Sequence, residues 1–310
     1  MKKILVVGSS NTDLIIKVSE IPRPGETLLG GEFNTFPGGK GANQAVAAAR
    51  AGGDVVFIAS VGDDSYGSEA IKEYKLDNIN TENIKVCKGL PSGIAMITIS
   101  GKGENAITVA SGANARLTAA DLEEAEEAFQ EADYMLIQLE TPLKTVQRAV
   151  ELCTELNTRV ILNPAPAVEL SDAILKHVSI ITPNETEAES LTGIVVTNEL
   201  TAAEAADALH KQGIETVIIT MGATGAYLSD TVSGIRKIVP GFKVQAVDTT
   251  AAGDVFNGQL AVSLAEGEAM EKALTVAHAA AALSVQKLGA QSSIPRREET
   301  DYYLSENLKQ

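Results

Sequence analysis

The sequence predicts an α/β fold: one doubly wound, mostly parallel sheet with helices on both faces, accompanied by a small separate β-sheet. Three observations carry this reading. Lys3–Val7 is a near-continuous apolar run of the kind buried inside a parallel sheet. From Tyr134 onward, extended runs alternate with helical stretches, an order that implies right-handed crossovers between parallel strands. Between these regions, Ala95–Ile99 and Ala106–Val109 break the rhythm as two short runs joined by Gly101–Asn105, which reads as an antiparallel hairpin. With 310 residues and 45% hydrophobic content the chain can bury a sizeable core, and residues 1–310 are expected to form a single domain.

The first strand ends at Gly8-Ser9-Ser10-Asn11-Thr12-Asp13, polar groups at the strand edge where open α/β sheets hold ligands. Turn chemistry alone also accounts for Asn11 and Asp13. Leu14–Val18 is a second extended run, Ile21–Thr27 a Pro-rich rigid loop, and the segment near Leu28–Phe36 a third extended piece. Together with the hairpin these pieces can form the small sheet. Phe36-Pro37-Gly38-Gly39-Lys40-Gly41-Ala42-Asn43 then leads into an Ala-rich helix through Ala51. Glycines ahead of a helix suit a phosphate or an uncharged polyol approaching bare backbone, but the spacing is not that of a Walker loop. A purely structural glycine turn is the alternative.

Val55–Val61 is the next strand, with a helix to about Leu76 after Gly62–Gly67. Thr118–Ala132 reads as a helix, Thr118 capping it and Asp121 at the capping-box position. Tyr134–Leu139 is a strand that delivers Glu140 to the ligand edge, where it also suits a helix start. Pro142–Leu156 is a helix with Leu143, Val146, Val150 and Cys153 on one face, and Val160–Leu162 is a strand. Ile180–Pro183 leads into Asn184-Glu185-Thr186-Glu187 and a helix. The i, i+3 pair Asn184 and Glu187 fits a capping box and a magnesium-water site equally well. Thr216–Thr220 is a strand followed by Met221-Gly222-Ala223-Thr224-Gly225, and Ala226–Leu228 looks like a further strand. Met270–Gln286 is a long helix holding His278 among alanines, Lys287–Ser293 closes the core, and Arg297–Leu308 is an exposed helical tail.

The stretch with most chemistry is Val247-Asp248-Thr249-Thr250-Ala251-Ala252-Gly253-Asp254-Val255-Phe256-Asn257-Gly258. Phe242–Val247 alternates enough to read as a strand, and Val255, Leu260, Val262 and Leu264 mark a helix ending near Glu266-Gly267. Small residues at the start of that helix leave its first N–H groups open, an anion site. Gly253 is read as the residue that absorbs the turn's backbone demands, and Asp254 as a carboxylate kept ionised by the helix dipole. An anion hole beside a base is what phosphoryl transfer to a hydroxyl needs. The alternative is that Asp248 and Thr249 merely cap the helix and Asp254 is solvated charge.

Composition narrows the partners. Lys plus Arg is 25 against 41 Asp plus Glu, a net charge of −16 with no basic cluster, which argues against nucleic acid. No run approaches the roughly 18 apolar residues of a membrane span. The N-terminal Met1–Gly8 run is too short for a signal peptide, and Asn11 and Asp13 stand where a cleavage site would be. Cys87 and Cys153 are isolated thiols without metal spacing, which fits packing roles in a reducing cytoplasm.

Val247–Gly258 resembles the C-terminal signature of the ribokinase-like carbohydrate kinases, and Gly39–Asn43 resembles their N-terminal one; the likeness runs from Lys3 to about Tyr303. The resemblance implies a kinase that uses ATP to convert D-ribose to ribose 5-phosphate, with Asp254 as catalytic base and Ala251, Ala252 and Gly253 as the anion hole. Many relatives have Gly where this chain has Ala251, and one subgroup often carries Ala. By resemblance, Asn11, Asp13, Gly39, Lys40, Gly41, Ala42, Asn43 and Glu140 hold the sugar. ATP would lie along Thr220, Gly222, Ala223, Thr224 and Gly225, with Asn184 and Gly253 at its phosphates and His278 beside its adenine. Glu187 would hold Mg2+ through water. Asp248, Thr250, Ser284, Lys287, Gly289 and Ser293 match the family's K+ loops, several through backbone carbonyls. The small sheet, about 14–36 and 92–110, would be a lid over the sugar and a homodimer contact. Open alternatives are another sugar or nucleoside kinase, for which Phe33 and Phe36 could stack a base, and a catalytically silent sugar-binding regulator. A Rossmann dehydrogenase fits poorly, because Gly8-Ser9-Ser10 lacks the glycine triplet.

Overall fold

In the computed structural model, which describes residues 3–308, Lys3–Val7 forms β1 near the middle of the main sheet. Met1 and Lys2, the start of the run weighed as a signal peptide, lie outside the described residues. The remaining strands are β2 (Asn11–Lys17), β3 (Glu32–Gly38), β4 (Asp54–Gly62), β5 (Ile84–Cys87), β6 (Gly93–Ile99), β7 (Asn105–Ala110) and β8 (Tyr134–Ile137). They continue as β9 (Arg159–Leu162), β10 (Ile180–Ile181), β11 (Thr216–Thr220), β12 (Gly225–Asp230) and β13 (Arg236–Pro240).

Nine strands form one sheet in the order β13-β12-β11-β10-β9-β8-β1-β4-β5. It is parallel from β11 to β5 and ends in the antiparallel hairpin β12–β13. The chain winds outward from β1 through β4 to β5 on one side and from β8 to β11 on the other. β1 and β8 therefore flank the switch point, where the carboxyl ends of the strands open a crevice. Alternation along β1 explains its unbroken apolar sequence: Ile4 and Val6 join the core on one face, Leu5 and Val7 the core on the other. Cys87 and Cys153 are free and buried, as packing residues should be.

The second sheet has the order β3-β2-β6-β7, with β2 and β6 parallel and the outer pairs antiparallel. Asn11 and Asp13 thus open a strand of this sheet instead of lying in a turn after β1. The sheet carries apolar side chains on both faces. Register puts Asp13, Phe36 and Val109 on one face and Ile16, Phe33 and Met96 on the other. Phe33 and Met96 are 62% and 63% exposed.

The structure departs from sequence expectation at several places. Phe242–Val247 is irregular, and the strand lies earlier, at β13. The N–H groups of Val247 and Asp248 both donate to the Val285 carbonyl at the end of a helix, so no sheet partner claims them. The 118–132 helix is broken at Ala125 into Ala119–Glu124 and Glu126–Glu131, while the Thr118/Asp121 capping box forms as expected. β8 stops at Ile137, and β5 and the helix Glu199–His210 carried too little pattern to be anticipated. Leu143 is exposed, whereas Val146, Val150 and Cys153 pack inward. Among the described residues, no helix is long and apolar enough to cross a membrane.

Candidate active site

Two helices meet over the switch point. One runs from Lys40 to Arg50 with Gly39 as its cap, the other from Ala252 to Ala265 with Ala251 as its cap. The glycine run has a steric cause. Gly39 has φ 89°, and a Cβ there would stand 2.6 Å from the Asn11 amide nitrogen; one at Gly41 would stand 2.5 Å from that of Ser9. The first helix can approach the β1–β2 link only without those side chains. The contact brings Ser9 Oγ to Glu140, whose Oε2 also accepts from the Lys40 amide at 3.0 Å.

At the second helix, Ala251 has φ 62° and no side chain caps the helix. The left-handed residue is therefore Ala251, not Gly253, whose φ is ordinary and around which a Cβ would meet nothing. An alanine in this conformation carries a cost of about 1–2 kcal/mol. Asp248 does not cap the helix. It accepts from the Thr250 N–H and hydroxyl at 2.9 and 2.6 Å and from the Gly289 N–H at 2.9 Å. The first N–H groups of the helix are thus left without a side-chain cap and lead into a cleft of about 190 Å³. The cleft joins Lys40, Asp254, Asn184, Glu187 and Thr220 to Ala251–Gly253.

Asp254 is buried, and both its oxygens are held by protein amides: Asn43 Nδ2 donates to Oδ2 and Gln44 Nε2 to Oδ1, each at 3.0 Å. Burial pushes its carboxyl above the usual range despite Lys40 and these donors, and Glu140 adds to the rise. Burial therefore works against the ionised form that the sequence reading expects the helix dipole to favour. Asp13 is buried too, but accepts no hydrogen bond among the described residues. Burial, then Glu140 and Asp254, push it up to about 6, with Lys40 opposing. Burial works to lower the pKa of Lys40, but Asp254, Glu140, Glu187 and Asp13 outweigh it, and the ammonium stays charged. One lysine thus sits among four carboxylates.

Asn11 Oδ1 accepts from Asn114 Nδ2 at 2.7 Å, and Asn43 Oδ1 from Gln291 Nε2 at 3.3 Å. Asn184 and Glu187 form the capping box, with bonds of 2.8 and 2.9 Å, and Glu187 still lines the cleft. Burial pushes its carboxyl up, the Asn184 N–H and Lys40 opposing. Gly222, Ala223 and Thr224 form an exposed 3₁₀ turn after β11, and Gly225 is buried at the start of β12. His278 is buried against Phe256 with Nε2 unpartnered, and burial drops it to about 4, so it is neutral. It does not line the cleft. Asp248, Thr250 and Gly289 form a separate loop cluster, Ser284 and Ser293 are buried, and Lys287 pairs with Glu299 at 3.0 Å on the C-terminal helix.

Sequence reasoning missed the amides behind Asp254. Gln44, Gln138, Asn163 and Asn257 are all buried. Gln44 stood directly after one motif and Asn257 inside the other, as polar residues in otherwise alanine-rich or apolar helices.

The pfkB family carbohydrate kinase profile matches residues 1–297. The chain is 46% identical over 303 residues to the ribokinase of Haemophilus influenzae, covering 98% of both chains. It is similar to the crystal structure of a Thermotoga maritima ribokinase, at 40% identity and a TM-score of 0.88, covering 98% of this chain and all of that one. The structure of Arabidopsis thaliana ribokinase complexed with ribose and ATP superposes with a TM-score of 0.91 at 29% identity, covering 98% of each chain.

Proposed function

The chain belongs to the pfkB family of carbohydrate kinases, and from that membership we propose that it transfers the γ-phosphoryl group of ATP to O5 of D-ribose. The observation that carries the residue assignment is the junction of Asp254 with the uncapped helix start at Ala251–Gly253, inside one cleft. Asp254, raised by burial, takes the hydroxyl proton, and the open N–H groups stabilise charge on the phosphoryl oxygens. Lys40 balances the carboxylates around the reacting hydroxyl. Asn11, Asp13, Asn43 and Glu140 are assigned to the sugar, together with the backbone of Gly39–Ala42. Asn184, Thr220, Gly222–Gly225, Gly253 and His278 are assigned to the nucleotide side.

Mg2+ would supply charge neutralisation for the transferred group. Among the described residues no three acidic, His or Cys side chains gather to ligate a metal. That fits an ion held mostly by nucleotide oxygens and water, with Glu187 reaching the water. For K+, Asp248 is held below its usual range: burial works against this, but the Thr250 and Gly289 donors outweigh it. An ionised carboxylate beside the helix-start loop suits a cation, with Ser284, Lys287, Gly289 and Ser293 contributing carbonyls. Activity should rise when K+ replaces a large organic cation, and an indifferent enzyme would contradict this assignment. The second sheet, apolar on both faces, closes over the sugar and pairs with a second copy; dilution-dependent sedimentation of the wild type, weakened by Met96→Lys, tests the dimer. A cytoplasmic enzyme is consistent with these substrates.

Asp13, Glu140 and Asp254, the three carboxylates at the sugar side, favour an uncharged acceptor. Fructose 6-phosphate, bringing a second phosphate among them, should therefore be far poorer than ribose. Phe33 and Phe36 face opposite sides of β3, so they cannot stack one base between them, which lowers the case for a nucleoside. A missing sugar hydroxyl leaves a buried partner unpaired, a loss of about 1–3 kcal/mol. Ribose should then exceed 2-deoxyribose in kcat/KM by roughly 5- to 150-fold. Measuring kcat/KM for ribose, 2-deoxyribose, fructose 6-phosphate and adenosine under one condition tests this, and any of the other three outrunning ribose would overturn it.

A further inference from the structure

Behind Asp254 lies a chain of buried amides whose direction of donation is fixed from its far end. Asn163 Nδ2 donates to the backbone carbonyl of Thr182 at 3.2 Å. A carbonyl can only accept, so the Asn163 amide is turned with Oδ1 toward Gln44. Gln44 Nε2 donates to that oxygen at 3.1 Å and to Asp254 Oδ1 at 3.0 Å. The remaining Gln44 Oε1 accepts from Gln138 Nε2 at 2.6 Å. Gln138 Oε1 is left buried without a partner, which is the residual cost of this orientation.

The same network reaches the anion hole. Thr182 Oγ1 donates to Asn257 Oδ1 at 2.7 Å, and Asn257 Nδ2 donates to the Gly253 carbonyl at 2.8 Å. The residue that presents the open amides and the carboxylate beside it are therefore held by one set of buried side chains. Gln44 and Gln138 are 0% and 1% exposed, so neither touches solvent or the cleft.

We propose that Gln44 is a positioning residue for phosphoryl transfer: its amide, locked donor-first by Asn163 and Gln138, sets the plane of the Asp254 carboxylate and favours its ionised form. The inference rests on Asp254 being the base. A donor to the charged form lowers a carboxyl's pKa, so removing it raises the pKa and leaves less base at neutral pH. The charged and titratable groups facing Asp254 are Lys40 on the helix Lys40–Arg50 that also carries Gln44, Asp13 on β2, Glu140 after β8 and Glu187 on the helix Glu185–Thr192. His278, on the packed helix Met270–Ser284, is neutral. None of them is altered by the variants below.

Gln44→Met keeps the length of the side chain and adds no charge, but removes the donor to Asp254. We expect kcat at pH 7 to fall by about tenfold or more with the sugar KM little changed, and the acid limb of kcat to move to higher pH, with activity recovering as pH rises. A merely structural role would lower the melting temperature without moving that limb. If Gln44→Met does not fold, Gln138→Leu, one step farther from the cleft, removes the lock and should show a smaller shift in the same direction. Asp254→Asn, run alongside, separates the two readings. If Asp254→Asn retains activity, the assignment of the base fails. If Asp254→Asn is inactive while the folded Gln44 or Gln138 variant keeps the wild-type acid limb, the inference about Gln44 is wrong.

Discussion

Asp254 and Asp13 are both buried carboxylates in the same site, and the fold treats them in opposite ways. Asp254 has an amide on each oxygen, and those amides are themselves oriented by others, Gln291 behind Asn43 and Gln138 with Asn163 behind Gln44. Asp13, on the small sheet, has no donor among the described residues and is pushed up to about 6 by burial and its acidic neighbours. The group assigned to the chemistry is satisfied before any substrate arrives, while the group assigned to reading the sugar is left wanting hydroxyl donors. The carboxylate assigned to the chemistry therefore stands preorganised in the first turn of the helix Ala252–Ala265, and the one assigned to recognition lies on a strand of the small sheet.

The largest effect that could break this contrast is at the base. Asp254→Asn should lower kcat by about 10²–10⁴-fold while the sugar KM changes little, in steady-state assays with saturating ATP. A mutant keeping more than about a tenth of wild-type turnover would remove Asp254 from that role. Asp13→Asn should do the reverse, raising the sugar KM by roughly 5- to 150-fold with a smaller change in kcat, the cost of about one poorly made buried hydrogen bond to charge.

Acidity sharpens the comparison. Asp13 must be ionised to accept from two hydroxyls, so sugar affinity should weaken as pH falls through about 6, and this dependence should vanish in Asp13→Asn. The sign for stability is opposite. A carboxyl whose folded pKa is raised destabilises the sugar-free protein above that value, and the penalty disappears below the unfolded value of 3.8. Asp13→Asn should then stabilise the sugar-free protein above pH 6, by on the order of 1–3 kcal/mol, and give no gain below pH 4. Denaturant melts at two pH values measure it; equal stability of mutant and wild type at pH 8 would show that the fold bears no strain there.

Smaller effects are expected where the chain itself makes the site. Glu187→Ala should raise the Mg2+ needed for half-maximal activity more than it raises the sugar KM. It should also lose up to about 1 kcal/mol from the capping box. If excess Mg2+ leaves the mutant unchanged, the carboxylate serves only the helix. Ala251→Gly should be the mildest change, since relief of the left-handed cost is offset by chain flexibility, for a net gain within about 1 kcal/mol in a thermal melt.

Much of the fold was legible from pattern: β1 from an apolar run covered on both faces, the later strands from β–α alternation, the small sheet from a hairpin out of rhythm. Phe242–Val247 misled because alternation cannot show where backbone N–H groups find acceptors, and these find Val285. The helix Glu199–His210 and β5 left too little pattern to read. At the site, Asp254 and its helix start were visible because the whole stretch Val247–Gly258 sets small residues and an acid at the start of an apolar helix and resembles a family signature. The left-handed angle was assigned to Gly253 because glycine tolerates it, whereas Ala251 carries it. Gln44, Gln138 and Asn163 were invisible as a set, since 94 residues of chain separate Gln44 from Gln138 and only the packed sheet brings their amides together.

The central claim is that this chain moves a phosphoryl group from ATP to an uncharged sugar hydroxyl through Asp254. Phosphorus NMR of the wild type and Asp254→Asn, each incubated with ATP, Mg2+ and D-ribose, reads the product directly. The account predicts a phosphomonoester on O5 of ribose, formed in step with ADP by the wild type and nearly absent with the mutant. ATP consumed without a sugar monoester, or the monoester formed by Asp254→Asn at more than about a tenth of the wild-type rate, would contradict it.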